Sequence, residues 1–197
     1  ENLMDEQGLY GRFIAEQAAT QSSHDATGTV IVEYRPGNPV YREAFRRLNL
    51  EWIEKYFKVE SEDEKVLGDP EREILDNGGA ILFAVSHDSM DGQVGSAEQL
   101  EAILGTCALI KKEDGTFELS KMAVTEKARG RQIGEQLLAA SIEKARKLEA
   151  GKLVLETNSQ LTAAVNLYRK LGFVLVQDEP EHRSLYQRAD TRMRLDL

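Results

Sequence analysis

Cysteine is almost missing from this chain of 197 residues: Cys107 is the only one, so no internal disulfide can form. A reducing, cytoplasmic setting is the expectation, with Cys107 a buried and inert thiol. Positive charge is scarce beside negative, with 25 Lys and Arg against 34 Asp and Glu and a net charge of -9. That balance argues against nucleic acid as the main partner and favours cationic or neutral substrates. No apolar run approaches the roughly 18 residues that a membrane helix needs, so no membrane partner is expected. No secretory signal peptide is visible. His24, His87 and His182 lack metal-ligand spacing, so no metal is expected and each is read as solvent-exposed. No Gly-Lys-Ser/Thr is present, which excludes a P-loop. Repeats, low-complexity tracts and domain-splitting linkers are absent as well.

What is present suits one globular domain. Hydrophobic residues make up 41% and charged residues 30%, ordinary values for a soluble chain long enough for a sizeable core. Residues 1–28 are polar apart from Leu9, Phe13 and Ile14 and read as a peripheral N-terminal extension, with a short helix near Leu9–Ala19. Val30-Ile31-Val32 begins the domain over 29–197 as a first strand. Asn38-Pro39 starts a helix whose stripe is Phe45, Leu48, Trp52 and Tyr56, expected to face the core. Glu60–Lys65 reads as a charged link, and Asp69-Pro70 as the start of a second helix stopped by Asn77-Gly78-Gly79.

Ala80–Val85 and Thr106–Ile110 read as neighbouring strands. The connection His87–Leu104 holds a turn at Asp91-Gly92 and a capping box at Ser96–Gln99, hence an inserted short helix. A strand over Thr116–Val124 leads through the polar turn Thr125–Ala128 to Arg129-Gly130-Arg131-Gln132-Ile133-Gly134. That last stretch opens a helix with Leu137, Leu138, Ile142, Ala145 and Leu148 at helical spacing. Then come a strand at Leu153–Leu155, a helix over Leu161–Leu171, a strand at Phe173–Val176, a polar loop and a half-buried final strand. The order implies α+β with a mixed sheet.

Strand, basic glycine-bearing turn, helix is a plausible pyrophosphate cradle. Helix-start N–H groups are unsatisfied and favour an anion, Gly130 and Gly134 allow close approach, and Arg129 and Arg131 can pair with phosphate oxygens. Taken with Met122-Ala123-Val124 before it and Leu167-Tyr168-Arg169-Lys170-Leu171-Gly172-Phe173 after it, the stretch resembles the GNAT-type, acyl-CoA-dependent N-acetyltransferases. The likeness covers about Thr29 to Leu197. Of the family's Gln/Arg-x-x-Gly-x-Gly/Ala motif, Arg129 and Gly134 fit and Gln132 stands in place of a glycine.

The resemblance implies a single-domain fold with a mixed, mostly antiparallel sheet flanked by helices, and acetyl-CoA as co-substrate. It implies that the backbone of Met122, Ala123 and Val124 pairs with the pantetheine arm, and that Arg129, Gly130, Arg131, Gln132, Ile133 and Gly134 hold the pyrophosphate. Tyr168 matches the tyrosine that protonates the departing thiolate. Many members carry an asparagine seven residues earlier; here that position is Leu161, with Asn158 or Asn166 as substitutes. An attacking amine must lose a proton, so a carboxylate is wanted nearby. Glu118 matches a general-base position of some members, and Glu156 is the runner-up.

The implied activity is acetyl transfer by direct attack of a primary amine, with a small amine or an amino acid as acceptor and a homodimer left open. The acceptor would approach past Trp52–Tyr56 and the loop Glu179–Arg188. A non-catalytic acyl-CoA-binding module on the same fold is the alternative, which Tyr168 argues against. A nicotinamide-dinucleotide site is a weaker rival, because the glycine spacing is Gly-x-x-x-Gly and the strand ends too early for its tight turn.

Overall fold

The computed structural model describes residues 28–86, 97–176 and 184–197. The helix expected near Leu9–Ala19, the Asp91-Gly92 turn, Ser96 and all three histidines lie outside the described residues.

The described chain runs through β1 (Thr29–Glu33), α1 (Pro39–Tyr56), α2 (Ser61–Gly68), a π-helical turn (Glu71–Leu75) and β2 (Ala80–Ser86). The short helix α3 (Ala97–Ala102) leads into β3 (Ile103–Lys111) and β4 (Thr116–Val124). After a 3-10 turn (Glu126–Ala128) come α4 (Ile133–Lys147), β5 (Lys152–Thr157), α5 (Thr162–Lys170), β6 (Val174–Leu175) and β7 (Thr191–Asp196). Seven strands form one sheet in the order β1-β2-β3-β4-β5-β7-β6. All neighbours are antiparallel except β4 and β5, which are parallel, so the sheet is mixed as the element order implies.

Each face of the sheet carries its own core. On one face α4 and α5 set Leu137, Leu138 and Val165 against Leu109, Leu119 and Leu155. On the other, α1 and α2 set Phe45, Leu48 and Leu67 against Ile81, Phe83 and Ala123. Asn38 caps α1, its Oδ1 accepting from the Val40 N–H at 3.0 Å, with Pro39 in the first turn. Gly79 lies where β2 begins beside β3; a Cβ there would stand 2.3 Å from the Leu109 carbonyl oxygen, a space that glycine alone fits. Among the described residues, no helix is long and apolar enough to cross a membrane.

Two segments differ from the expectations. The charged link at Glu60–Lys65 is the start of helix α2. Asp63 accepts the Glu60 N–H at 3.0 Å, and Val66 and Leu67 are the buried anchors. Two apolar residues in eight give too weak a periodicity to read as a helix. The helix expected after Asp69-Pro70 is the π-helical turn, closed by the Asp76 N–H on the Glu71 carbonyl at 2.9 Å. The α4 helix likewise starts at Ile133 rather than at Arg129.

Two irregularities shape the sheet's centre. The β3–β4 register passes from Ala108↔Ser120 to Thr106↔Ala123, so β4 carries one extra residue there. Lys121 lies in this bulge with φ 52°, a left-handed conformation that costs a non-glycine residue about 1–3 kcal/mol. The bulge reverses the alternation. Phe117 and Leu119 face the α4 side before it, and Met122 and Val124 face that side after it. Further along, β4 and β5 pair only over Thr116↔Lys152, Phe117↔Leu153 and Glu118↔Val154. Beyond that the two strands part.

Candidate active site

The parting of β4 and β5 opens a cleft of about 870 Å³, walled by both strands, α1, the start of α4, α5 and the segment around Tyr186. That volume is in the range of small-molecule and cofactor sites. The edge of β4 from Leu119 to Val124 has no β5 partner, so its backbone N–H and C=O groups on that side can take an extended ligand as an added strand. Met122, Ala123 and Val124 all line the opening.

At one end of the cleft stands the N-terminus of α4. Gly130 takes φ 79° and Gln132 φ 58°, and these two left-handed residues turn the loop under the helix. Among the described residues no side chain caps α4, and Gln132, Ile133, Gly134 and Glu135 line the cleft. First-turn N–H groups without caps beside a cleft make an anion site, aided by the helix dipole. A Cβ on Gly134 would meet Leu167 and Met122 at 3.4 and 3.5 Å, ordinary contact distances. Arg129 lines the same end, 3.3 Å from the Glu126 carboxylate, and its guanidinium lowers the pKa of the Tyr56 hydroxyl. Arg131 is exposed and does not line the cleft.

Tyr168 stands at the middle of the cleft, 8% exposed, with its ring 5.9 Å from that of Phe173. Its hydroxyl contacts the Met122 Sδ at 4.0 Å. Burial first, and the thiol of Cys107 second, raise its pKa, so the phenol keeps its proton at any working pH. Cys107 itself is fully buried on β3, and burial pushes its thiol up to about 12, in keeping with an inert residue. Glu118 and Glu156 also line the cleft. Glu118 pairs with Lys112 at 2.6 Å, and Glu156 accepts from the Ser184 hydroxyl.

Of the two asparagines, Asn158 reaches the cleft wall but is committed to local structure. Its Nδ2 donates to the Arg188 carbonyl at 2.7 Å and its Oδ1 accepts the Gln160 N–H at 2.9 Å. Asn166 is exposed and does not line the cleft, because it sits two residues, about 200°, round α5 from Tyr168.

The far end of the cleft holds a buried ionic cluster that the sequence reading did not single out. Asp63, 0% exposed, accepts from the Lys121 Nζ at 2.6 Å and from both Nη atoms of Arg188 at 2.7 and 2.8 Å. Arg188 Nη1 also donates to Glu60 at 2.9 Å, and the Lys121 Nζ lies 2.9 Å from the Tyr186 hydroxyl. The cationic groups of Lys121 and Arg188 lie 4.5 and 4.6 Å from the centroid of the Tyr186 ring. Burial alone would raise the Asp63 carboxyl, but Arg188, Lys121 and the Glu60 N–H outweigh it and hold it at about 2. Burial, followed by the Asp63 charge, raises the Tyr186 hydroxyl. The signal in the sequence was Lys121, a lysine in line with the apolar inward residues Phe117, Leu119 and Ala123 of its strand. Of the α1 stripe expected to face the core, Phe45 and Leu48 do, whereas Trp52 and Tyr56 line the cleft and Tyr56 is 45% exposed, because the last turns of α1 run past the opening; residues 177–183 of the expected acceptor loop lie outside the described residues.

Comparison with known proteins places this geometry. Residues 46–173 match the model of the Acetyltransferase (GNAT) family. An uncharacterized N-acetyltransferase of Bacillus subtilis (strain 168), YvbK, is 31% identical over 98 residues, 47% of this chain and 63% of that protein. The match thus spans under two thirds of the relative's length. Among solved structures, a GNAT-family acetyltransferase from Staphylococcus aureus Mu50 superposes with a TM-score of 0.69 at 22% identity, covering 85% of this chain and 98% of that one. A Bacillus subtilis acetyltransferase in complex with CoA superposes at 0.56 and 22% identity, covering 85% and 97%. These likenesses show the fold.

Proposed function

This chain belongs to the Acetyltransferase (GNAT) family, and on that premise we propose that it transfers an acetyl group from acetyl-CoA to the primary amine of a small-molecule or amino-acid acceptor. The observation that carries the reading is the cleft's layout. An unpaired strand edge at Met122–Val124 leads directly to an uncapped helix N-terminus at Ile133–Glu135. An extended arm ending in phosphates fits that sequence of donors: the arm along β4, the pyrophosphate at Gly130 and Gln132–Gly134, with Arg129 at the rim.

The chemistry follows from the groups along the cleft. The amine nitrogen attacks the thioester carbonyl carbon, the C–S bond breaks and the electron pair leaves with sulfur. Tyr168, a protonated phenol in the cleft, gives its proton to that thiolate and is reprotonated from solvent. The same water-poor surroundings that raise the phenol also raise the basicity of a desolvated thiolate, which keeps the transfer matched. The amine's proton passes to Glu118, directly or through one water. The chain's net charge of -9 favours a cationic amine through its field. A phenol placed along the ligand's path favours catalysis over a purely sensory module.

Calorimetry with acetyl-CoA tests the reading. The parent protein should bind, and Gly134→Asp, whose Cβ finds ordinary contacts, should fold but lose about 100-fold or more in affinity, because it sets a like charge at the anion site. A folded variant with unchanged affinity would remove the proposed phosphate site.

A further inference from the structure

The Asp63 cluster shares no described hydrogen bond with the anion end of the cleft, where Arg129 pairs instead with Glu126. It joins three segments far apart in sequence: α2 through Glu60 and Asp63, the β4 bulge through Lys121, and the segment at Tyr186–Arg188. A carboxylate can accept about four hydrogen bonds, and Asp63 has all four: Lys121 and Arg188 on Oδ1, Arg188 and the Glu60 N–H on Oδ2. The Gln187 N–H donates to the Glu60 carboxylate at 2.9 Å, so the segment is fastened at two successive residues.

We propose that Asp63 is the positioning residue of the acceptor half of the cleft, a claim that rests on the acetyl-transfer reading above. A buried ion pair of this kind contributes little net stability compared with well-packed apolar residues, because desolvation offsets its Coulomb gain. What it fixes is geometry. Lys121 and Arg188 both line the cleft, and both are located by the same carboxylate. Asp63 pairs with the side chain of Lys121, the residue that carries the left-handed bulge conformation. Through Arg188 it sets the wall that carries the Tyr186 ring. Lys121 adjoins the pantetheine edge through its peptide bond to Met122, but it joins the cluster only through its side chain, and the α4 N-terminus shares no described hydrogen bond with the cluster. Losing Asp63 therefore loosens the acceptor wall and leaves the backbone donors of the donor site in place.

The test is steady-state kinetics of Asp63→Asn with acetyl-CoA and the best acceptor from a panel of amines and amino acids, with calorimetry of acetyl-CoA binding beside it. The acceptor KM should rise about tenfold or more, as expected when a buried charge pair is broken, while the acetyl-CoA Kd stays within about twofold. Equal losses on both sides, or none, overturn the proposal. If Asp63→Asn does not fold, Arg188→Gln, which leaves Asp63 paired with Lys121, reads the same split. If acetyl-CoA binds but no panel amine is turned over, hydrogen exchange decides. Asp63→Asn should speed exchange across 184–190 and leave 129–137 unchanged, and an unaltered 184–190 refutes the role. If the parent protein does not bind acetyl-CoA, the acetyl-transfer reading fails by itself, and the exchange measurement still judges the clasp.

Discussion

Replacing Tyr168 by phenylalanine should separate catalysis from stability. The Tyr168 hydroxyl is buried in the cleft's inner wall, and its single described contact is the Met122 thioether at 4.0 Å. A thioether is a weak acceptor, so the hydroxyl gains little from folding and gives up its water. Removing it should leave folding stability within about 1 kcal/mol of the parent, and on the favourable side if the desolvation cost dominates. For a chain of this size that is a change in Tm of about 2–4 °C at most. The ring keeps its place against Phe173, since its packing is untouched. If the hydroxyl protonates the departing thiolate, kcat should fall by about 10²-fold, the low end of general-acid contributions. Acetyl-CoA affinity should barely move. Thermal unfolding and thiol release read out the two halves. A variant as active as the parent removes Tyr168 from the proton path. A variant whose Tm falls by ten degrees or so with its activity shows a structural residue instead.

Glu118→Gln should lower kcat by about tenfold or more while Glu156→Gln does not, and thiol release with one amine decides between them; the reverse ranking would move the base to Glu156. Acid should weaken the fold through Asp63. Its carboxyl lies at about 2 against an ordinary 3.8, so its contribution is present above 3.8 and is lost as the pH falls through about 2. That is worth about 2 kcal/mol. Urea midpoints between pH 5 and pH 2 should fall more steeply in the parent than in Asp63→Asn, and parallel curves would contradict the linkage.

Much of this architecture could be read from the chain. The helix start at Asn38-Pro39, the strand–turn–helix around Gly130 and the Leu-Tyr-x-x-x-Gly-Phe stretch are local signals, and local chemistry sets them. The bulge was legible in principle: apolar residues at 117 and 119 followed by 122 and 124 break a period of two. The Asp63 cluster was not, because its members are spread over 128 residues, from Glu60 to Arg188, and only the tertiary fold brings them together. Helix α2 escaped for a related reason: its stability comes from burying Val66 and Leu67 in the core on the α1 side of the sheet rather than from its own pattern. Arg131 and Asn166 show the opposite case, where a motif supplied the residue type and the chain leaves the residue exposed and off the cleft wall.

A sheet joined across its middle by three residue pairs behaves mechanically like two plates meeting at a short seam. One plate is β1 to β4 and the other β5 to β7, and the seam runs only from Thr116 to Glu118. An extended molecule lying along the open edge of β4 supplies the hydrogen-bonding partner that β5 withholds, and so acts as a keystone between the plates. Stiffness across the middle of the molecule then depends on what occupies the gap. Bending the plates apart is soft when it is empty and hard when it is filled, so each cycle of loading and release changes the elasticity of the whole sheet.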